Sequence, residues 1–126
     1  MREIEFRGKR LDNGEWAEGF LYCFYNFTRT VAQILTDRTN GIPDAVEVDP
    51  ETVGQYIGLK DRRGQKVFEG DIIDLFDNTF YVGFEEGEYI LKSPESDDFL
   101  SILLLQTEKF YVEGNVYDNP ELIVKR

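Results

Sequence analysis

The chain contains 25 acidic residues, 14 lysines and arginines, one cysteine and no histidine. That inventory decides much of the chemistry before any fold is considered. Without histidine there is no Ser-His-Asp or Cys-His relay, no His-ligated zinc and no HExxH site, and one cysteine cannot build a cysteine-rich zinc site. Neither a P-loop nor a GxGxxG turn occurs. The chain is therefore read as a non-enzyme, with no cofactor and no metal.

Carboxylate chemistry is what this composition leaves open. Asp71, Asp74 and Asp77 lie in and around the run IIDLF. An extended strand points residues 71 and 74 to opposite faces, and the spacing is not that of an EF-hand loop. Asp71, which follows Gly70, is better read as a carboxylate accepting backbone N–H bonds at the entry to a strand. Glu95, Asp97 and Asp98 are read as the solvated start of a helix. Among the bases, Lys60, Arg62, Arg63 and Lys66 fall in or beside one turn, while Arg7, Lys9 and Arg10 lead into another. Solvated turns are the plain reading. The functional reading is a contact edge for phosphate or for an acidic partner, formed if the two turns lie side by side, with Tyr56 and Phe68 as stacking surfaces if the ligand is a nucleic acid.

Those two turns belong to stretches that echo one another, RLDNGEWAEGF at 10–20 and GLKDRRGQKVFEGDII at 58–73. Each sets a leucine, Leu11 or Leu59, before a polar turn and returns through apolar residues into Glu-Gly. Both are read as β-hairpins. Gly14 and Gly64 supply the positive φ of a tight turn, and Gly19 and Gly70 mark a bulge or bend as the chain leaves it. The echo is thus a structural device used twice, in preference to a duplicated binding site.

Short β-branched and aromatic runs bounded by Gly, Asn and Asp predict strands near 3–7, 15–25, 30–36, 45–48, 54–58, 66–69, 71–76, 79–84, 88–92 and 110–116. Glu85-Glu86-Gly87 predicts the turn of a hairpin whose first strand sets Phe80, Val82 and Phe84 on one face. VDPET and DNPEL each predict about one turn of helix, with Asp49 or Asn119 as N-cap and Pro50 or Pro120 in the first turn. SPESDDFLSILLLQ, 93–106, is read as a longer helix, with strand as the alternative. Cys23, amid Leu21, Tyr22, Phe24 and Tyr25, is placed in a packed strand as a small hydrophobe. The Asn26-Phe27-Thr28 sequon is read as a turn.

A chain of 126 residues suits one compact unit or two small lobes. Its longest apolar runs, FLYCFY and ILLL, are too short for a membrane span, and MREIEFRGKR lacks the features of a secretory signal. A soluble cytoplasmic protein is expected. The net charge of −11 is uneven, −2 over 1–63 and −9 over 64–126. The acidic half repels phosphate backbones and disfavours general nucleic-acid binding through it. One variant of that alternative has acidic residues 85–98 mimicking DNA.

The run VDPETVGQYIGLKDRRGQKVFEGDII, with REIEFRGKRLDNGEW before it and VEGNVYDNPELI after it, resembles the YopX family, small proteins found mostly in phages and prophages. The resemblance brackets nearly the whole chain and is weakest at 24–44 and 93–109. It implies a mainly β fold: a β-rich N-terminal part, taken as 1–55, and a C-terminal small barrel similar to SH3-type barrels, 56–126, with one or two short helical segments. Gly14, Gly19, Gly64, Gly70, Asp71, Asn115 and Pro120 are then turn-forming residues of the scaffold. No catalytic residues are carried over. The expected role is a non-enzymatic interaction module acting on a host or phage protein in the bacterial cytoplasm, with self-association.

Overall fold

The structure is a computed structural model that describes residues 4–36 and 44–123. The chain divides into two compact units, 1–56 and 57–126, and the fold is mainly antiparallel β.

In the first unit β1 (Phe6–Lys9), β2 (Trp16–Asn26), β3 (Arg29–Thr36) and β4 (Asp44–Val48) line up as β4-β3-β2-β1. The start of β5 (Gly54–Lys60) pairs with β1 through Gly54 and Gln55. The expected strand at 3–7 begins outside the described residues, and β1 sits later because its register with β2 sets Phe6 against Gly19 and Lys9 against Trp16. The turn between them closes with the Arg10 N–H donating to Glu15 O at 2.8 Å. Gly14 takes φ 74° there, where a side chain would strain the backbone. Ala17, Ala32, Ile34 and Val48 form the core of this unit, with Phe6, Leu21, Val46 and Val53 packed against it.

Gly19, read from the sequence as a bulge or bend, is the last β2 residue paired with β1. It lies within β2, where a Cβ would sit 2.0 Å from the carbonyl oxygen of Leu35 on β3, so close backbone approach excludes a side chain. After β4, Asp49 caps a 3₁₀ turn, Pro50–Thr52, by accepting the Glu51 N–H at 3.0 Å. Thr52 ties that turn back to β1, its Oγ1 accepting the Lys9 N–H at 2.9 Å.

In the second unit the end of β5 neighbours β6 (Lys66–Phe68). A five-stranded sheet follows, built from β7 (Asp71–Leu75), β8 (Asn78–Glu85), β9 (Glu88–Lys92), β10 (Phe99–Ser101) and β11 (Val112–Asn115). Its order is β10-β9-β8-β7-β11, so the pairing leaves β10 and β11 as edges and does not close. Ile57, Val67, Ile73, Leu75, Phe80, Val82, Leu91, Leu105, Phe110 and Val112 make the core. The β8–β9 turn falls within the expected Glu85-Glu86-Gly87 but is two residues long, since Glu85 still pairs with Glu88, with Glu86 at φ 51° and Gly87 at φ 85°. Phe80 and Val82 are buried on the shared face, whereas Phe84 at its end is exposed.

The helix expected over 93–106 is not formed. Residues 99–101 pair with β9, Leu100 opposite Leu91, and helix is confined to α1 (Leu104–Thr107), which inserts Leu105 into the core. Backbone pairing to a strand already in place outcompetes an isolated helix too short to be stable alone. The 3₁₀ turn Pro120–Leu122 forms as expected, but Asn119 does not cap it. Instead Asn119 Oδ1 accepts the N–H of Asn115 at 3.2 Å, and the space it fills is the one a Cβ on Gly114 would need. No helix among the described residues is long and apolar enough to cross a membrane.

Candidate functional site

The β5–β6 hairpin that carries Lys60, Arg62, Arg63 and Lys66 is organised by Asp61, whose side chain is fully buried. Its Oδ1 accepts the N–H groups of Arg63 and Gln65, each at 2.9 Å, and its Oδ2 accepts the Val112 N–H at 3.0 Å. The Asp61 N–H donates to Gln65 O at 2.8 Å, and Gly64 completes the turn at φ 85°. Burial opposes ionisation of this carboxyl, but the hydrogen bonds from Val112, Gln65 and Arg63 outweigh it and hold the group below the ordinary carboxylate range.

The four bases named in the sequence are not equivalent. Arg63 is committed to the scaffold: its Nη2 donates to Val112 O at 2.8 Å and its guanidinium lies 5.0 Å from the Tyr111 ring centre. Lys66 begins β6. Lys60 and Arg62 face a groove of about 530 Å³ that Lys109 and Glu108 also line, above Leu105 and Phe110. Lys109 is a member the sequence did not reveal, because it is 47 positions from Arg62 and the segments meet only through tertiary contacts, the Arg62 N–H to Phe110 O bond at 3.2 Å among them. Arg7, Lys9 and Arg10 belong to the first unit. Arg7 stacks on Trp16 at 4.5 Å and Arg10 pairs with Asp12 at 2.8 Å.

The carboxylates do not form a catalytic set. Asp71 is buried, its Oδ2 accepting the Phe68 N–H at 2.8 Å, which is the turn-forming role read from Gly70-Asp71. Gly70, at φ 93°, lies against Tyr117 and Val116. Asp74 Oδ1 accepts from the Thr79 hydroxyl on the surface. Asn115 is a similar device: its Oδ1 accepts the N–H groups of Tyr117 and Asp118, shaping the turn that leads to Pro120. A cleft of about 580 Å³ is lined by Asp77, Glu95 and Asp98, yet no group of three or more Cys, Asp or Glu side chains among the described residues could hold a metal ion. The acids of 85–98 fall at opposite ends of β9, with Lys92 between them bonded to Glu85. They do not make one continuous row.

The most distinctive surface was not anticipated. β2 is 11 residues long and β1 only 4, so β1 pairs with β2 no further than Gly19. β4 reaches β3 only as far as Ala32. Among the described residues, the β2 edge away from β3 therefore has no paired strand past Gly19, and beyond Cys23 and Ala32 the two strands run on as a ribbon. Along β2 past Gly19, Phe20, Tyr22, Phe24, Tyr25 and the turn residue Phe27 are all exposed, Tyr25 at 85% and Phe27 wholly. Tyr22 and Phe24 contact one another, ring centres 5.6 Å apart. Cys23, expected in a packed strand, is exposed as well. The sequence signal was present: FLYCFYNF is apolar on both faces, which suits a fully buried strand or an exposed binding one.

The segment from 5 to 124 matches the family model described as YopX protein. The chain belongs to the YopX family. The crystal structure of protein EF1440 from Enterococcus faecalis is similar in fold, with a TM-score of 0.61 at 22% identity over 98% of this chain and 100% of that one. No curated protein matches the chain.

Proposed function

We propose that this YopX-family chain is a non-enzymatic protein-interaction module, an accessory protein of phage or prophage type that works in the bacterial cytoplasm. The observation that carries the reading is the aromatic ribbon. Exposed apolar surface beyond a few hundred Å² is unusual on a monomer and marks contact sites, and Tyr and Phe are the residues enriched there. The second unit is read as SH3-like on its strand order: a four-stranded meander, one helical turn and a fifth strand returning beside the first. Such scaffolds host many binding functions, so the surface and not the fold supports the assignment.

The test is affinity capture from bacterial lysate with and without nuclease, using the full chain and its Tyr22→Lys/Phe24→Lys variant. Proteins held by the natural chain in both arms and lost from the variant are the expected result. Retention that the variant leaves unchanged refutes the ribbon as the docking surface, and turnover abolished by a single carboxylate substitution refutes the non-enzymatic reading.

A second reading has its own observation, the convergence of Lys60, Arg62 and Lys109 on one groove. It would take a nucleic-acid phosphate or an acidic peptide. Reversing charge with Lys60→Glu/Arg62→Glu, which spares the structural Arg63, should weaken binding of single-stranded nucleic acid at least tenfold at low salt if that reading holds. Equal binding by both chains retires it.

A further inference from the structure

Resting on the ribbon as the interaction surface, we propose that its occupant is a second copy of this chain, joined edge to edge along β2 about a two-fold axis at Cys23.

The backbone sets the geometry. Asn26 pairs with Arg29 across a two-residue turn, Phe27-Thr28. In such a hairpin the residues flanking the turn exchange hydrogen bonds, and bonded and non-bonded pairs then alternate. Asn26, Phe24, Tyr22 and Phe20 thus turn their N–H and C=O groups toward β3. Tyr25, Cys23 and Leu21 turn theirs the other way, to the side where no strand among the described residues continues past Gly19. This edge carries none of the usual guards against pairing: it has no lysine, no proline and no bulge.

The outward groups at 21, 23 and 25 are evenly spaced about Cys23, so an antiparallel copy matches them without any slip. Cys23 exchanges two hydrogen bonds with Cys23 of the second copy, Leu21 meets Tyr25, and Tyr22 lies across from Phe24. Aromatic residues face aromatic residues on one side of the joined sheet.

Charge selects the same place. Two copies at −11 each repel over most of their surface, but Gly19 to Thr28 is uncharged in a chain that is 31% charged. The first charges beyond this strip have opposite signs, Glu18 at one end and Arg29 at the other. Two-fold antiparallel pairing directs Glu18 of one copy toward the Arg29 end of its mate. The apolar surface on offer is also large. At about 200 Å² per aromatic residue, the exposures of Phe20, Tyr22, Phe24, Tyr25 and Phe27 leave about 700 Å² uncovered per copy. Two copies together thus expose about 1,400 Å² of aromatic surface, of which edge-to-edge pairing covers the flanks that face the mate.

The experiment uses the full chain. Sedimentation at about 50 µM should give twice the 14.7 kDa chain mass, and Tyr22→Lys/Phe24→Lys should be monomeric there with unchanged circular dichroism. A bonded antiparallel pair sets its Cα atoms about 5.5 Å apart, within disulfide range. Mild oxidation should therefore link the natural chain through Cys23. The same oxidation of Cys23→Ser/Phe27→Cys should not, since two-fold pairing holds the tips about 26 Å apart at roughly 3.3 Å per residue. Monomeric natural chain overturns the proposal, as does a dimer that survives the double substitution or links equally well through position 27. If the chain is monomeric yet captures another protein through the ribbon, the interaction-module reading stands and self-pairing alone falls.

Discussion

Replacing Asp61 with alanine removes three hydrogen bonds that hold two distant segments together. The Arg63 and Gln65 N–H groups lose their acceptor at the hairpin turn, and the Val112 N–H loses its acceptor 51 positions away. A hydrogen bond to a charged acceptor is worth about 1.5–3 kcal/mol, and a buried donor left without a partner adds a penalty of about 1–3 kcal/mol. Relief from desolvating the carboxylate offsets part of this, and the Arg63 ion pair at 3.7 Å, more than half exposed on the arginine side, adds little. A net loss of about 4 kcal/mol is expected. With a urea m-value of about 2 kcal/mol/M, the unfolding midpoint should fall by about 2 M. Asp61→Asn keeps an oxygen for the turn but sets an amide donor against the Val112 N–H, and should lose about half as much.

The pH dependence gives an independent check. The Asp61 carboxyl is held below its ordinary value in the folded chain, so its contribution is fully present above the unfolded value of about 3.9. It is lost as pH falls through the lower folded value. The gap between the natural chain and Asp61→Ala should therefore be flat from about pH 5 to 8 and shrink below about pH 4. A destabilisation under about 1 kcal/mol at pH 7, or a gap that widens on acidification, would refute the reasoning.

Two glycines separate backbone strain from steric exclusion, both read by urea unfolding. Gly14→Ala meets open space and bears only the cost of positive φ, so about 1 kcal/mol is expected. Gly19→Ala drives a methyl into the Leu35 carbonyl and should cost about 3 kcal/mol; equal effects would contradict the packing described. Asp49→Ala removes the cap of the 3₁₀ turn and should lower stability by about 1 kcal/mol, whereas Asn119→Ala should act on the β11 turn through Asn115 and Gly114. Amide exchange slowed at Asn115 in the natural chain and fast in the variant is the expected signature.

Features encoded within a few residues were legible in the sequence. Asp-Asn-Gly and Asp-Arg-Arg-Gly turns place glycine where φ must be positive, Glu-Gly makes the β8–β9 turn, and Asp-Pro or Asn-Pro starts one turn of helix. These depend on local sterics that no tertiary contact needs to supply. Asp71 beneath the Phe68 N–H was readable for the same reason, being only three positions away. The segment 93–106 misled because its leucines match a helical period, while the pairing of 99–101 with β9 is decided by a strand that the segment itself does not contain.

By itself, then, the sequence determined the alphabet of chemistry and the punctuation of the chain: no imidazole, a single thiol, a strongly acidic C-terminal half and glycine turns at fixed places. Tertiary structure decided what those residues face. Asp61 became the clamp between the hairpin and Val112, Arg63 became scaffold, and Lys109 joined Lys60 and Arg62 in one groove. Cys23 and its aromatic neighbours came to lie in the open, on a stretch of β2 that β1 does not reach. Strand lengths and long-range register are set by cooperative pairing between distant segments, and it is this pairing that turns an apolar run into either core or contact surface.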